Sequence, residues 1–275
     1  DNDADGLLFG ISDNSMQFVL GALDPEMHTI EALLTEAGRH FVHARLDGRR
    51  VVSGNAYIAD GLSGEVDWEQ PVVWVECSVP ALRREQHLVA DHHKPGDPGY
   101  GLPASRFWEG SSLGQVCAYL KIAQSLPLSI IAASDHCLNH AYQGHCPGVS
   151  PADVRRSRIA GRAKFQRISE AQMQGKIDAA IALVSALPTI DIGGHPFKDA
   201  MDRYVPELPE ASAMLNAPII YTRREASVGL VKVGVLNGTA EALTAWMSWA
   251  GQQPYLFRLY GDPDRGYAGA YVRPR

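Results

Sequence analysis

Short apolar runs of strand length alternate with helix-period stripes from Met16 to Ala141, and this alternation restricts the fold more than any other feature of the chain. Gln17–Leu23 is one such run. Pro25 then suits a first helical turn, and Ile30, Leu33, Leu34 and Ala37 form an apolar stripe that Gly38 stops. Phe41–Leu46 and Arg50–Ser53 flank Asp47-Gly48, a hairpin signal. Val72–Cys77 reads as a buried strand, Pro80 as the start of a short polar helix, and Leu88–Ala90 as another strand. Ser111–Ala123, with Ser111 or Ser112 as N-cap, and Leu128–Ala141 read as helices. Strands alternating with helices predict an α/β fold whose sheet is mainly parallel and flanked by helices.

Pro147–Pro151 marks a boundary. A helical region, Ala152–Leu187, follows, with breaks expected around Gly161 and near Gly175, and Ile190–Pro196 reads as a loop. Pro218–Tyr221, Leu230–Leu236, a helix Ala240–Ala250, Tyr255–Tyr260 and Tyr267–Val272 predict a smaller C-terminal α/β unit. The expected organisation is an N-terminal extension over 1–15, a metal-binding domain over 16–147, a helical connector over 148–190 and a substrate-binding domain over 191–275. Asp1, Asp3, Asp5 and Gly6 match the opening of a calcium loop, yet Ser12 stands where its bidentate Glu belongs. Met16 therefore reads as the natural start and residues 1–15 as an extension.

With 275 residues, 45% of them hydrophobic, the chain can bury a substantial core. Its net charge of −6 argues against a broad footprint for duplex nucleic acid. Arg155-Arg156-Ser157-Arg158 with Arg162, Lys164 and Arg167 reads first as a solvated helix face. Cys77, Cys117, Cys137 and Cys146 sit mostly in apolar segments, which suits reduced thiols and a cytoplasmic protein. No apolar run reaches the roughly 20 residues of a membrane span. A homodimer is compatible with the sequence.

Carboxylates and imidazoles gather where strands are expected to end. Asp24 and Glu26 follow the first strand, Glu76 ends the Val72 strand, and Asp91-His92-His93 follow Leu88–Ala90. Asp135 interrupts an apolar helix pattern. In a parallel sheet those strand ends share one edge, a common ligand-binding location. Such a density of carboxylates repels itself unless cations neutralise it. Oxygen and imidazole donors suit Mg²⁺, Mn²⁺ or Zn²⁺.

On Asp24-Pro25-Glu26, Glu76, Asp91-His92-His93 and Asp135 the chain resembles the DHH phosphoesterase superfamily, over about Met16–Ala141. The resemblance implies metal ligands at Asp24, Glu26, Glu76, His92 and Asp135, with Mn²⁺ or Mg²⁺ as the cofactor. It implies that Asp91 orients or bridges and that His93 contacts the scissile phosphate or assists proton transfer. It further implies a hydrolase acting on a small phosphorylated substrate: a short oligonucleotide, cyclic dinucleotide, nucleotide or pyrophosphate. His136 beside Asp135, and the charges of Lys94, Arg106 and Arg265 with the turn at Gly266, are the candidate substrate contacts. Glu stands for Asp twice, and Leu20-Gly21-Ala22-Leu23 occupies the place where the family often carries a His. A non-catalytic DHH-like nucleotide-binding or sensor protein is therefore the alternative.

Two other patterns compete. His136 and His140 have the spacing of one helix face, and with His145 and Cys146 they offer a structural Zn²⁺ site, although the spacing matches no common finger. Gly193-Gly194-His195-Pro196 resembles part of a glycine-rich substrate loop, with a plain turn as the simpler reading. No phosphate-binding P-loop, serine-hydrolase elbow or zinc-protease His pair is present.

Overall fold

In the computed structural model, which describes residues 15–226 and 228–274, Gln17–Leu20 (β1) is buried at every residue. The calcium-like pattern of Asp1–Ser12 lies outside the described residues. Asp24 caps Pro25–Glu36 (α1) by accepting from the Met27 amide at 2.7 Å. Phe41–Leu46 (β2) and Arg49–Arg50 (β3) are joined by Asp47 and Gly48, both at positive φ (51° and 71°), the conformation a tight hairpin turn requires. Gly61–Leu62 (β4), Val72–Val75 (β5) and Leu88–Ala90 (β6) complete the first sheet.

That sheet runs β3-β2-β1-β5-β6, with β4 against β2. The β1-β2, β1-β5 and β5-β6 pairs are parallel. The pairs of β2 with β3 and β4 are antiparallel. Val72–Val75 is apolar at every position because a central parallel strand is covered on both faces. The helix expected after Pro80 does not form. Leu82 and Arg83 donate to Val79 for a single turn, and the His87 ring then accepts from the Arg84 amide and the Trp74 indole. This first unit extends to Ala90, and a second begins at Asp91.

The second unit opens with Phe107–Gly110 (α2), Ser112–Leu120 (α3), Leu126–His136 (α4) and Leu138–Tyr142 (α5). Ser111, not Ser112, is the N-cap of α3. The single helix expected over Leu128–Ala141 is broken at Cys137 (φ −155°, ψ 61°). Pro151–Gln166 (α6) and Glu170–Ala186 (α7) run through Gly161 and Gly175 without a break. The interruption falls instead at left-handed Arg167 and at Ser169, whose capping box with Gln172 starts α7.

Thr189–Ile192 (β7) and His195–Ala200 (β8) replace the loop expected at Ile190–Pro196. They form a hairpin whose turn, Gly193-Gly194, has φ of 65° and 83°. Leu208–Leu215 (α8) was not expected from the sequence; Ile219–Glu225 (β9), Leu230–Leu236 (β10), Ala240–Gly251 (α9), Leu256–Asp262 (β11) and Tyr267–Val272 (β12) follow. The second sheet runs β11-β12-β10-β9-β8-β7, and only β8-β9 is parallel. Both sheets are thus mixed, so the expectation of a mainly parallel architecture is corrected to mixed α/β. On one face, Phe197, Val235, Leu243 and Trp246 form a core beneath α9; on the other, α7 and α8 pack through Val184, Leu208 and Ile219.

The arginine strip of α6 is not a solvated face throughout. Arg158 pairs with buried Glu210 of α8 at 2.7 Å, and Arg162 pairs with Glu207 at 3.1 Å. Among the described residues no helix is long and apolar enough to cross a membrane.

Candidate functional site

In the first unit the two carboxylates that follow buried strands come together. Glu26, in the first turn of α1, is 1% exposed, and a carboxylate oxygen of it lies within 4.8 Å of one of Glu76. Glu76 terminates β5 in the left-handed conformation, φ 51°. Its carbonyl lies so close to Gly21 that a Cβ there would run into it, which is why the turn after β1 carries glycine. Asp24 spends Oδ1 on the α1 cap.

In the second unit Asp91 organises its own turn. Asp91 Oδ1 accepts from the backbone amides of His92 (2.7 Å) and His93 (3.1 Å) and from His93 Nδ1 (2.8 Å). Gln115 on α3 clamps the Asp91 backbone, accepting from its amide at 3.0 Å and donating to its carbonyl at 3.2 Å. Asp97 Oδ2 accepts from the His93 and Lys94 amides. Burial pushes the Asp97 carboxyl up, and the charge of Asp91 adds to that. Gly99 is needed because any side chain there would strike the Gly110 carbonyl and the His92 side chain.

His92 is fully buried, and its contact with His136 bears on which ring nitrogen carries hydrogen. His136 Nε2 lies 2.9 Å from the Leu102 carbonyl, which only accepts, so that nitrogen carries hydrogen. Burial pushes the His136 imidazole down to about 3, which makes it neutral and leaves its Nδ1 a lone pair. That lone pair faces His92 Nδ1 at 3.1 Å, so His92 Nδ1 must donate. His92 Nε2 then faces the Asp135 Oδ2 at 3.2 Å. Both atoms can face a cation, although His92 Nε2 also accepts from Arg265 Nη2 at 3.2 Å. Two ligands at about 2.1 Å from one ion and at right angles stand about 3.0 Å apart, so the pair fits a divalent cation. Burial works to raise the Asp135 carboxyl, but hydrogen-bonded His92, backed by the charge of Arg265, holds it well below the usual carboxylate range.

Arg265 locks this group from the short 3-10 turn Pro263–Arg265. It donates through Nε to the His136 carbonyl (2.7 Å), through Nη1 to the His92 carbonyl (2.8 Å) and the Tyr267 hydroxyl (3.4 Å), and through Nη2 to His92 Nε2 (3.2 Å) and the Asp135 carbonyl (3.5 Å). A cation on His92 Nε2 therefore competes with one arm of Arg265. Gly266 follows at φ 83° and closes that turn.

The other expected substrate contacts do not join this group. Lys94 is exposed on the Asp91 turn. Arg106 is exposed at the end of Ala104–Arg106, and among the described residues no hydrogen bond or ion pair links it to His92 or Asp135. His136 and His140 lie on separate helices, so they do not share a face. His140 meets His145 at 3.3 Å, and the Cys137 and Cys146 thiols meet at 3.3 Å as a separate buried pair. Among the described residues none of these four joins a cluster of three or more metal-binding side chains, and the structural zinc reading fails on that geometry.

Acidic and imidazole side chains thus gather into groups able to hold a divalent metal, as the sequence led one to expect. Gln115, Asp97 and Leu102 were not anticipated. Of these, only Gln115 left a trace, as a polar residue between apolar ones in Ser112–Leu120. Comparison of the chain with protein-family models, with curated proteins and with solved structures finds no match.

Proposed function

We propose that the chain is a divalent-metal-dependent phosphoesterase of the DHH type, acting on a small phosphoester. The observation that carries this reading is the His92 Nε2–Asp135 Oδ2 separation of 3.2 Å, which suits two ligands of one divalent cation. Glu26 and Glu76 are the further ligands the sequence pattern supplies. Bound Mn²⁺ or Mg²⁺ would supply an activated water and neutralise phosphoryl charge.

The chain's own groups take distinct parts. Asp91 holds the His93 Nδ1 proton, so Nε2 is the basic nitrogen of His93 and can accept or return a proton at the reacting phosphoester. His136 fixes the orientation of His92, as outer partners of metal-bound imidazoles do. Arg265 has its N–H groups committed to His92, His136, Asp135 and Tyr267, so it is a positioning residue rather than a phosphate ligand.

A hydrolysis screen of small phosphoesters with added Mn²⁺, run beside Mn²⁺-binding isotherms, tests the reading. Turnover and binding both lost in His92→Ala, Asp135→Ala and Glu76→Gln support it. Binding without turnover in the unaltered protein would replace it with the sensor alternative, and the absence of Mn²⁺ binding would end it.

A further inference from the structure

Cys137 and Cys146 are both buried, each 2% exposed, and their sulfurs stand 3.3 Å apart. The backbone around each is tied down independently of the other sulfur. The Cys137 amide donates to the Ala133 carbonyl at 3.1 Å, and the Cys137 carbonyl accepts from the Ala141 amide at 2.9 Å. Beyond α5, Gly144 takes φ 74° and the His145 amide donates to the His140 carbonyl at 2.9 Å. The Cys146 carbonyl accepts from the Val149 amide at 3.1 Å. The short segment between the two cysteines therefore folds back and presents one thiol to the other.

Two neighbouring thiols can serve a metal or each other. Among the described residues they join no group of three or more metal-binding side chains. An S–S bond is about 2.05 Å long, so closure asks the sulfurs to approach by roughly 1.2 Å. The other thiols are placed differently: Cys77 donates to the Val19 carbonyl at 3.4 Å, and Cys117 lies within α3.

We infer that Cys137 and Cys146 are a modification site, closed to a disulfide by a low-molecular-weight disulfide such as glutathione disulfide. One protein thiolate attacks a glutathione sulfur; a protein–glutathione S–S bond forms, the glutathione S–S bond breaks, and the departing thiolate takes up a proton. The second protein thiolate then attacks the protein sulfur of this mixed disulfide and expels the other glutathione. Two protein thiols are oxidised to one disulfide, and one glutathione disulfide is reduced to two thiols. Burial shields the pair in the closed structure, so the exchange takes place as the chain folds or opens. Once formed, the bridge pins the break between α4 and α5, directly after Asp135 and His136, whose carbonyls Arg265 holds. For this pair the expectation of reduced thiols is replaced; the inference uses no metal and stands apart from the phosphoesterase reading.

The test starts from the full chain, unfolded in urea and refolded with equal amounts of reduced and oxidised glutathione. Alkylation without reduction, proteolysis and mass spectrometry then map the sulfurs. The expected product joins Cys137 to Cys146, two hydrogens lighter, and leaves Cys77 and Cys117 alkylated. Its urea midpoint should exceed that of the same protein after reduction, because the bridge restricts the unfolded chain. Cys146→Ser should lose the bridge and the redox difference in midpoint, while Cys117→Ser keeps both. If a variant does not refold, the map of the unaltered chain decides alone. The inference is overturned by alkylation of both Cys137 and Cys146 after refolding, by pairing of either with Cys77 or Cys117, or by a midpoint that oxidation leaves unchanged or lowers. No cysteine is a proposed metal ligand, so these outcomes are independent of the Mn²⁺ screen.

Discussion

His92 and His136 face each other Nδ1 to Nδ1 at 3.1 Å, and the Leu102 carbonyl at the far side of His136 dictates which of the two donates. One backbone oxygen thus selects the tautomer of His92 through an intervening ring. His136→Phe removes the acceptor and leaves His92 free to turn or to take the other tautomer. We expect Mn²⁺ affinity to fall roughly 10- to 100-fold although no proposed ligand is lost. His136→Gln, which offers an acceptor and a donor, should recover part of it. Isothermal titration of both variants decides the matter, and an unchanged affinity in His136→Phe would remove His136 from the site.

Glu76 and Gly21 depend on each other. Glu76 lies at φ 51°, and its carbonyl occupies the space a Cβ on Gly21 would need. Gly21→Ala should cost about 1–3 kcal/mol through overpacking, read as a lower urea midpoint with an unchanged slope. Glu76→Asn should be close to neutral for stability because Asn tolerates the left-handed conformation. It should nonetheless weaken Mn²⁺ binding. A Gly21→Ala protein as stable as the parent would show that the turn can relax.

The elements that the sequence made legible are those with a strong local cause. Val72–Val75 was readable from an unbroken apolar run, α1 from its Asp24-Pro25 start and Gly38 stop, and the β2–β3 turn from Asp47-Gly48. The errors lie where tertiary structure overrides local preference. Gly161 and Gly175 were expected to break a helix that packing carries through both, and the Cys137 break carries no proline or glycine. The direction of the second sheet was not written in its strand patterns, because alternation alone does not distinguish parallel from antiparallel neighbours. At the site, residue types at strand ends pointed to Glu26, Glu76 and His92, and a carboxylate interrupting an apolar helix pattern pointed to Asp135. The same reading assigned Arg265 to substrate, because nothing in Arg265-Gly266-Tyr267 reveals that distant carbonyls consume its donors.

Lys232 on β10 stands between Arg223 and Tyr271 on its neighbouring strands, with Nζ 5.2 Å from the Tyr260 ring centre. Burial, reinforced by Arg223 and only partly opposed by Glu225, pushes its amine down to about 8. The folded protein therefore binds this proton less tightly than the unfolded chain, whose lysine titrates near 10.4. The penalty is full below about pH 8 and fades as pH rises towards the unfolded value. Lys232→Met should raise the melting temperature at pH 7, and the gain should shrink between pH 8 and pH 10.5. A gain that persists unchanged across that range would show that packing, not charge, is responsible.

Glu210 on α8 is fully buried and accepts from Arg158 Nε and Nη2 and from the Tyr142 hydroxyl. Burial works to raise its carboxyl, but Arg158 outweighs it and holds the group below the ordinary range. Arg158→Met leaves that carboxylate buried with its counter-ion gone, and about 3–5 kcal/mol of stability should be lost at pH 7. The pH dependence separates charge from packing. In the parent protein the stability this group contributes is present at neutral pH and is lost as pH falls through its lowered value. In Arg158→Met desolvation, the largest influence, is opposed only by the Tyr142 hydroxyl and the charge of Arg162, so the carboxyl titrates higher than in the parent and the deficit relative to the parent should shrink as pH is lowered from 7 towards 4.5. Arg158→Met combined with Glu210→Leu should recover most of the loss, because it removes the stranded charge along with its partner. Urea titrations of the parent and the two variants at both pH values test this. A single variant whose deficit is the same at pH 7 and pH 4.5 would place the cost in lost packing of the arginine stem instead.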